Sequence, residues 1–372
     1  MNKTLIITLE YPPAVGGIAS YVYNVAAHVS PEQVVIYAPR MVGDTDFDGQ
    51  HQWKVFRYRP YWLLWPRWLR MFFQVRHIIK REKILELHIH HALPVGYIGW
   101  LMKKLFKIPY VIFLHGTDLE MAIRSSFKRR RLLQVTREAQ RIVVNSHFLK
   151  DKLMQRLEGI PPVEVVYPCP ADFFFESVDA QILRKLKATL ALEGKKVLIT
   201  IARMVEGKGY PHVIRLLPEI IHQIPNVAWL VIGDGPKYKM IFEQAQKLHL
   251  QNIIRYEGTV PYNELPQYLQ LADLFVLLTH PDENHEEGWG TVFLEAAASG
   301  LPVVAGRVGG VEEAVEHLTT GIVVDVHQDK AVVGSIVELL KNSTYAQQMG
   351  EAGRKRVLRE FTWEKQIQKL GN

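Results

Sequence analysis

The chain has 372 residues, is 48% hydrophobic and 22% charged, and carries a formal net charge of +7. These values exclude a disordered or fibrous chain, and the length suggests two domains of ordinary size. The only cysteine, Cys169, permits no internal disulfide and points to a reducing compartment.

At the start, "MNKTLIITLE" lacks the long apolar core and small-residue cleavage site of a signal peptide. Short β-branched runs follow: "TLIITL" (4–9), "VVIYA" (34–38), "ILELHIH" (84–90), "YVIFLHG" (110–116), "RIVVNS" (141–146) and "VEVVYP" (163–168). A second series runs "KVLITIAR" (196–203), "VAWLVIGDG" (227–235), "DLFVLLT" (273–279), "LPVVAG" (301–306) and "GIVVD" (321–325). Apolar strands separated by helix-length segments predict parallel sheets covered on both faces. The two series divide near "YPCPADFFFES" (167–177), which predicts two Rossmann-like doubly wound α/β domains in tandem. The boundaries are placed at 1–172 and 173–355, with 356–372 forming a C-terminal helix that packs back on the first domain. The longest apolar runs, such as "ALPVGYIGWLM" (92–102), fall short of the roughly 18 residues of a spanning helix, so no membrane crossing is expected.

Charge is unevenly placed. Through Asp172 there are 24 Lys and Arg against 14 Asp and Glu, and the remainder has 21 against 24. A basic first domain suggests an anionic surface or polyanion as its partner. The stretch "RYRPYWLLWPRWLRMFFQVRHIIKR" (57–81) mixes tryptophans, phenylalanines and cations, the composition of a segment lying in lipid headgroups. "SSFKRRRLL" (125–133) adds a second basic cluster. Burial of the same aromatics in the first domain is the alternative.

In open parallel sheets the ligand lies off the carboxyl ends of the strands, and the chemical motifs all follow strand ends. "EYPPAVGGIASYV" (10–22) brings Gly16 and Gly17 to a helix start, where bare amides bind phosphate or simply make a tight turn. In "LHGTD" (114–118), His115 is a cleft contact or a satisfied strand-end histidine, and Asp118 binds a hydroxyl or caps a helix. "RMVEGKGY" (203–210) spaces Arg203 and Lys208 across a glycine turn, able to aim two cations at a pyrophosphate or to stand as solvated charge. "HPDENHEEGWGTVFLEAAASGLPVVAGRVGGVEEAV" (280–315) sets Glu287 beside a helix start and buries Glu295 one turn inside, where a carboxylate needs hydrogen-bond donors such as ribose hydroxyls. No G-x-G-x-x-G fingerprint follows the first strand and no Walker sequence occurs, which disfavours dinucleotide and P-loop readings. "GDTDFD" (43–48) holds Asp-x-Asp pairs but sits amid turn residues, and it reads as a solvated loop rather than a metal site.

Taken in order, "EYPPAVGGIASYV", "LHGTD", "ARMVEGKG", "VIGDGP", "EGWGTVFLEAAASGLPVVAGRVGGVEEAV" and "TWEKQIQKL" resemble the retaining GT-B glycosyltransferases of family 4, which include phosphatidylinositol mannosyltransferases. The resemblance covers nearly the whole chain, and the Glu-x7-Glu segment is its most specific part. It implies that Gly16 and Gly17 approach the donor phosphate and acceptor, and that His115 lies beside the donor sugar. It further implies that Arg203 and Lys208 hold the pyrophosphate and that Glu287 lies near the sugar hydroxyls. Glu295 would bind ribose, with the amides around Trp289, Gly290 and Thr291 adding anion stabilisation. Where many relatives carry Asn-Gly at the linker, this chain has "YPCPADF" (167–173).

The expectation is therefore a metal-independent, retaining hexosyltransferase without a cofactor. Its donor is a nucleotide sugar (GDP-mannose or a UDP-sugar) and its acceptor lipid-linked or a glycan. It would work in the cytoplasm, peripherally on the inner face of an anionic membrane. A nucleotide-sugar hydrolase or epimerase is the enzymatic alternative. A non-catalytic basic membrane- or nucleic-acid-binding protein is the other, and it lacks an interleaved aromatic nucleic-acid motif.

Overall fold

The structure, a computed structural model, describes residues 2–14, 16–59, 68–116, 119–120, 125–282 and 288–371. It contains two compact units: Met1–Pro168 together with Trp363–Asn372, and Cys169–Thr362. The chain thus changes unit after Pro168 and again after Thr362, where the sequence reading drew its lines after 172 and 355.

The first unit is built on a seven-stranded parallel sheet: β1 (Thr4–Ile7), β2 (Val34–Pro39), β3 (Lys54–Tyr58), β4 (Glu86–His90), β5 (Tyr110–Leu114), β6 (Ile142–Val144) and β7 (Val163–Val165). Their order across the sheet is β3-β2-β1-β4-β5-β6-β7. Ile6 of β1 lies between Ile36 of β2 and His88 of β4, so the order reverses at the β1/β4 gap. Strands such as "TLII" are apolar on both faces because helices cover both. Within the first unit, the helix Trp363–Leu370 buries Trp363, Gln366 and Leu370. The Trp363 ring sits 5.4 Å from Tyr21 and 6.0 Å from His28. Arg141 donates to the carbonyls of Lys369 and Leu370, satisfying acceptors that every helix end leaves open.

The second unit holds a six-stranded parallel sheet: β8 (Lys196–Ile201), β9 (Val227–Ile232), β10 (Ile254–Gly258), β11 (Leu274–Leu277), β12 (Val303–Gly306) and β13 (Ile322–Val324). The order is β10-β9-β8-β11-β12-β13, with its reversal at the β8/β11 gap. Trp229 is fully buried, and its indole donates to Thr200 Oγ1, whose hydroxyl passes the bond on to the Val276 carbonyl. A wholly enclosed indole N–H requires such a partner.

Two strands were not expected. β3 ("KVFRY") and β10 ("IRYEG") are sheet edges, and their charged residues interrupt the apolar runs by which the other strands announce themselves. The Asp-x-Asp stretch also differs from a solvated loop. Residues Asp44–Asp48 form a short helix in which Asp44 is buried and accepts from the Met41 amide, while both Asp48 oxygens are held by Arg57. Two of its carboxylates are thereby committed to structure. Among the described residues, no helix is long and apolar enough to cross a membrane.

Candidate active site

In the second unit, the segments following β8 and β11 flank the strand-order reversal, the place where doubly wound sheets bind ligands. The segment after β8 carries Arg203, exposed, and Lys208, half-buried between Gly207 and Gly209. It is pinned from both sides. Met204 N–H donates to the Asp234 carbonyl and Lys237 N–H to the Met204 carbonyl, while His280 N–H donates to the Gly207 carbonyl. Gly209 adopts φ +74°, and a Cβ there would stand 1.9 Å from the Leu278 carbonyl oxygen. Only glycine permits that backbone-to-backbone approach. The two cations of "RMVEGKGY" are therefore carried on a rigid turn.

After β11 comes the helix Thr291–Ala298, capped by Gly290 at φ 81°. Trp289 is buried against Phe361, ring centroids 5.4 Å apart, which anchors the helix start. The first amides of this helix have no partner within it, and the helix dipole adds positive character there. Glu295 is only 6% exposed. Its Oε1 accepts a hydrogen bond from the Tyr262 hydroxyl at 2.8 Å. Burial pushes its pKa up to about 7, and the Tyr262 bond partly offsets this. A carboxylate held ready for further donors is thus buried at the unit's ligand edge. Glu287 and its acidic neighbours Glu283 and Glu286 lie outside the described residues, as do Asp118, Trp62 and Trp65.

In the first unit, Gly16 caps the helix Gly17–Ala27, which follows β1. A Cβ at Gly17 would meet nothing within 4 Å, whereas one at Gly16 would lie 3.5 Å from Glu10 Oε2. His115 follows β5, and its Nε2 lies 3.1 Å from His90 Nδ1. Burial, with His91 nearby, lowers the His115 pKa to about 3, so the ring is neutral near pH 7 and acts through hydrogen bonds rather than charge. His91 Nε2 faces Glu10 Oε1 at 3.7 Å.

The expected residues thus fall in two groups. The first unit gathers Gly16, Gly17 and His115 around strand ends; the second gathers Arg203, Lys208, Trp289, Gly290, Thr291 and Glu295. Sequence reasoning passed over Glu10, His90, His91 and Tyr262. The alternation "ELHIH" in β4 was a usable signal, because histidines at period two on an apolar strand must share one covered face. Nothing in "VPYNEL" singles out Tyr262.

Two family models match the chain: "Glycosyltransferase Family 4" over residues 15–169 and "Glycosyl transferases group 1" over residues 183–356. A GDP-mannose-dependent alpha-(1-6)-phosphatidylinositol monomannoside mannosyltransferase of Mycolicibacterium smegmatis is 28% identical over 96% of this chain and 94% of its own length. An N-acetyl-alpha-D-glucosaminyl L-malate synthase of Bacillus anthracis is 27% identical over 85% of this chain and 79% of its own. Among solved structures, Anabaena HepE in complex with UDP superposes with a TM-score of 0.84 at 18% identity, covering 99% of this chain and 98% of that one. That likeness speaks to the fold, two tandem parallel-sheet units of the GT-B type. With both halves matched in order, the chain belongs to the family 4, group 1 glycosyltransferases and is a glycosyltransferase.

Proposed function

We propose that the protein transfers a hexose, mannose by preference, from a nucleotide sugar to a lipid-linked or glycan acceptor, with retention of anomeric configuration and without a metal. The observation that carries this reading is the pairing at the second unit's strand-order reversal. A rigid cationic turn follows one flanking strand, and a glycine-capped helix with a buried acid follows the other. Arg203 and Lys208 hold the donor diphosphate and balance the charge that develops as it leaves, supported by the amides at Trp289, Gly290 and Thr291. Glu295 accepts from the ribose hydroxyls and Glu287 from the sugar. Neutral His115 donates to or accepts from the sugar beside the scissile bond, while the Gly16–Gly17 turn admits the phosphate and acceptor without a side chain in the way. GDP-mannose is the first donor to test, in view of the mycobacterial relative; a UDP-sugar is the alternative, in view of the Bacillus relative's glucosaminyl product.

For the acceptor, the supporting feature is a cationic helix layer in the first unit. Helices Trp68–Glu82, Gly96–Phe106 and Ser126–Arg137 lie side by side. Their sequences hold one carboxylate, Glu82, which is buried and bonded to Lys54. Phe72, Val75, Ile78 and Ile79 fill the core, but Leu69, Phe73, Leu105 and Phe127 are exposed, as are Lys104, Lys128, Arg129 and Arg130. Each basic residue near an anionic leaflet contributes on the order of 1 kcal/mol, so five or six acting together give salt-sensitive peripheral association, on the inner face for a cytoplasmic enzyme.

The test has two arms. Thermal shift against GDP-, UDP- and ADP-sugars identifies the donor, since a ligand that binds only the folded state raises its stability. Labelled donor is then supplied with phosphatidylinositol-containing or neutral vesicles, and product is separated from free sugar. Transfer to lipid supports the reading; release of free sugar alone, with every acceptor offered, overturns it in favour of hydrolysis.

A further inference from the structure

The Tyr262–Glu295 bond links more than two side chains. Tyr262 sits in the turn Tyr262–Glu264, which leads into the helix Leu265–Leu271. Its ring is packed edge-on by Phe173 and Phe174, each with centroids 5.3 Å away. Those phenylalanines belong to the turn Asp172–Phe175, the first element of the second unit. The hydroxyl donates to Glu295, so the rings of the turn hold the donor of that bond in place. At its far end the same turn is tied to the same helix. Arg354 donates to the Phe175 carbonyl at 2.5 Å and to the Ala298 carbonyl at 2.9 Å. Ala298 ends the helix that carries Glu295.

We infer that Tyr262 is a positioning residue for Glu295 and that, through the packing of Phe173 and Phe174 on its ring, it couples the aim of that carboxylate to the first turn of the second unit. This rests on the reading that Glu295 grips the donor ribose. Among the described residues Tyr262 is the side chain that donates to the Glu295 carboxylate, and losing that donor leaves the group freer to rotate and harder to ionise. The Tyr262 hydrogen bond thus sets both the direction and the charge of the acid. It also gives the turn at 172–175 a means of adjusting nucleotide affinity without touching the nucleotide.

The experiment uses the full chain, with GDP and UDP as probes and affinity measured calorimetrically from pH 6 to 9. Tyr262→Phe retains the ring and its packing while removing the hydroxyl that donates to Glu295. We expect nucleotide binding at pH 7 to weaken about tenfold or more, with the pH dependence displaced upward and much of the affinity regained at pH 9. Phe173→Leu loosens the packing under the Tyr262 ring and should shift the profile in the same direction by a smaller amount. Glu295→Gln should weaken binding and flatten the pH dependence. If Tyr262→Phe binds with the parent's affinity and profile while Glu295→Gln is weakened, the inference fails and the ribose reading stands. If Glu295→Gln binds as the parent does, both fail. A uniform loss in Tyr262→Phe at every pH would also refute the positioning role, because it would mark structural damage rather than a displaced ionisation.

Discussion

His88 in β4 offers a sharp quantitative test of the first unit's core. The side chain is completely buried, and among the described residues neither ring nitrogen has a hydrogen-bond partner. Burial, with a smaller contribution from Arg141, lowers its pKa to about 3. Above pH 6.5 the ring is neutral both folded and unfolded, and its contribution to stability is flat. Between pH 6.5 and about 3 the unfolded chain binds a proton that the folded chain refuses, so stability falls as pH falls. The slope is about 1.4 kcal/mol per pH unit, hence about 2 kcal/mol by pH 5 and about 5 kcal/mol across the window. His88→Leu removes this term along with two orphaned nitrogens, so it should be neutral or stabilising at pH 7. Its advantage over the parent should then widen by about 2 kcal/mol at pH 5. The assay is urea unfolding at pH 7, 6 and 5, with hydrogen exchange of the β4 amides to localise the transition. An advantage that stays constant with pH would refute the reasoning. His90, also fully buried and with its pKa well below the usual value, should steepen the parent's slope further.

The remaining predictions concern the second unit and its neighbours. Arg203→Ala and Lys208→Ala should each reduce sugar transfer by about a hundredfold with the fold intact by circular dichroism; near-normal turnover in both would move the diphosphate elsewhere. Glu287→Gln should impair transfer while leaving free GDP or UDP bound, unlike Glu295→Gln, and equal losses of nucleotide affinity would contradict that division. Gly209→Ala should destabilise the second unit by several kcal/mol, on the order of other strained or overpacked sites, because its Cβ would collide with the Leu278 carbonyl; chemical denaturation measures this. EDTA should leave transfer largely unchanged, and its abolition would require a metal-dependent mechanism.

Much of this architecture is written in the chain, and the parts that are not have identifiable causes. β1, β8 and β11 are continuous apolar runs because both faces of a central parallel strand are covered. β3 and β10 are edges, where Lys54, Arg57, Arg255 and Glu257 are tolerated and mask the period. Arg203 and Lys208 were legible because glycines bracket the lysine, and glycine marks backbone crowding. Glu295 was legible because an acid in "TVFLEAAA" breaks an otherwise apolar helix. Tyr262 was not, since its partner lies 33 residues away and only folding brings the two together. The Asp44–Asp48 segment misled in a similar manner: the Asp48 carboxylate finds Arg57 only once β3 is in place beside β2.

The return of Trp363–Leu370 to the first unit has a consequence for how the protein is made. Synthesis proceeds from the N-terminus, and domains generally fold as units in that order. Here the first unit lacks its last helix until residues 363–370 have emerged, after all of Cys169–Thr362. The later-encoded unit is therefore the first whose chain is complete on the ribosome. Until then Tyr21 and His28 wait without Trp363, and Arg141 without the carbonyls of Lys369 and Leu370. A released chain that ends at Thr362 should carry a protease-resistant second unit and a first unit still open to cleavage, the reverse of the order in which their codons are read.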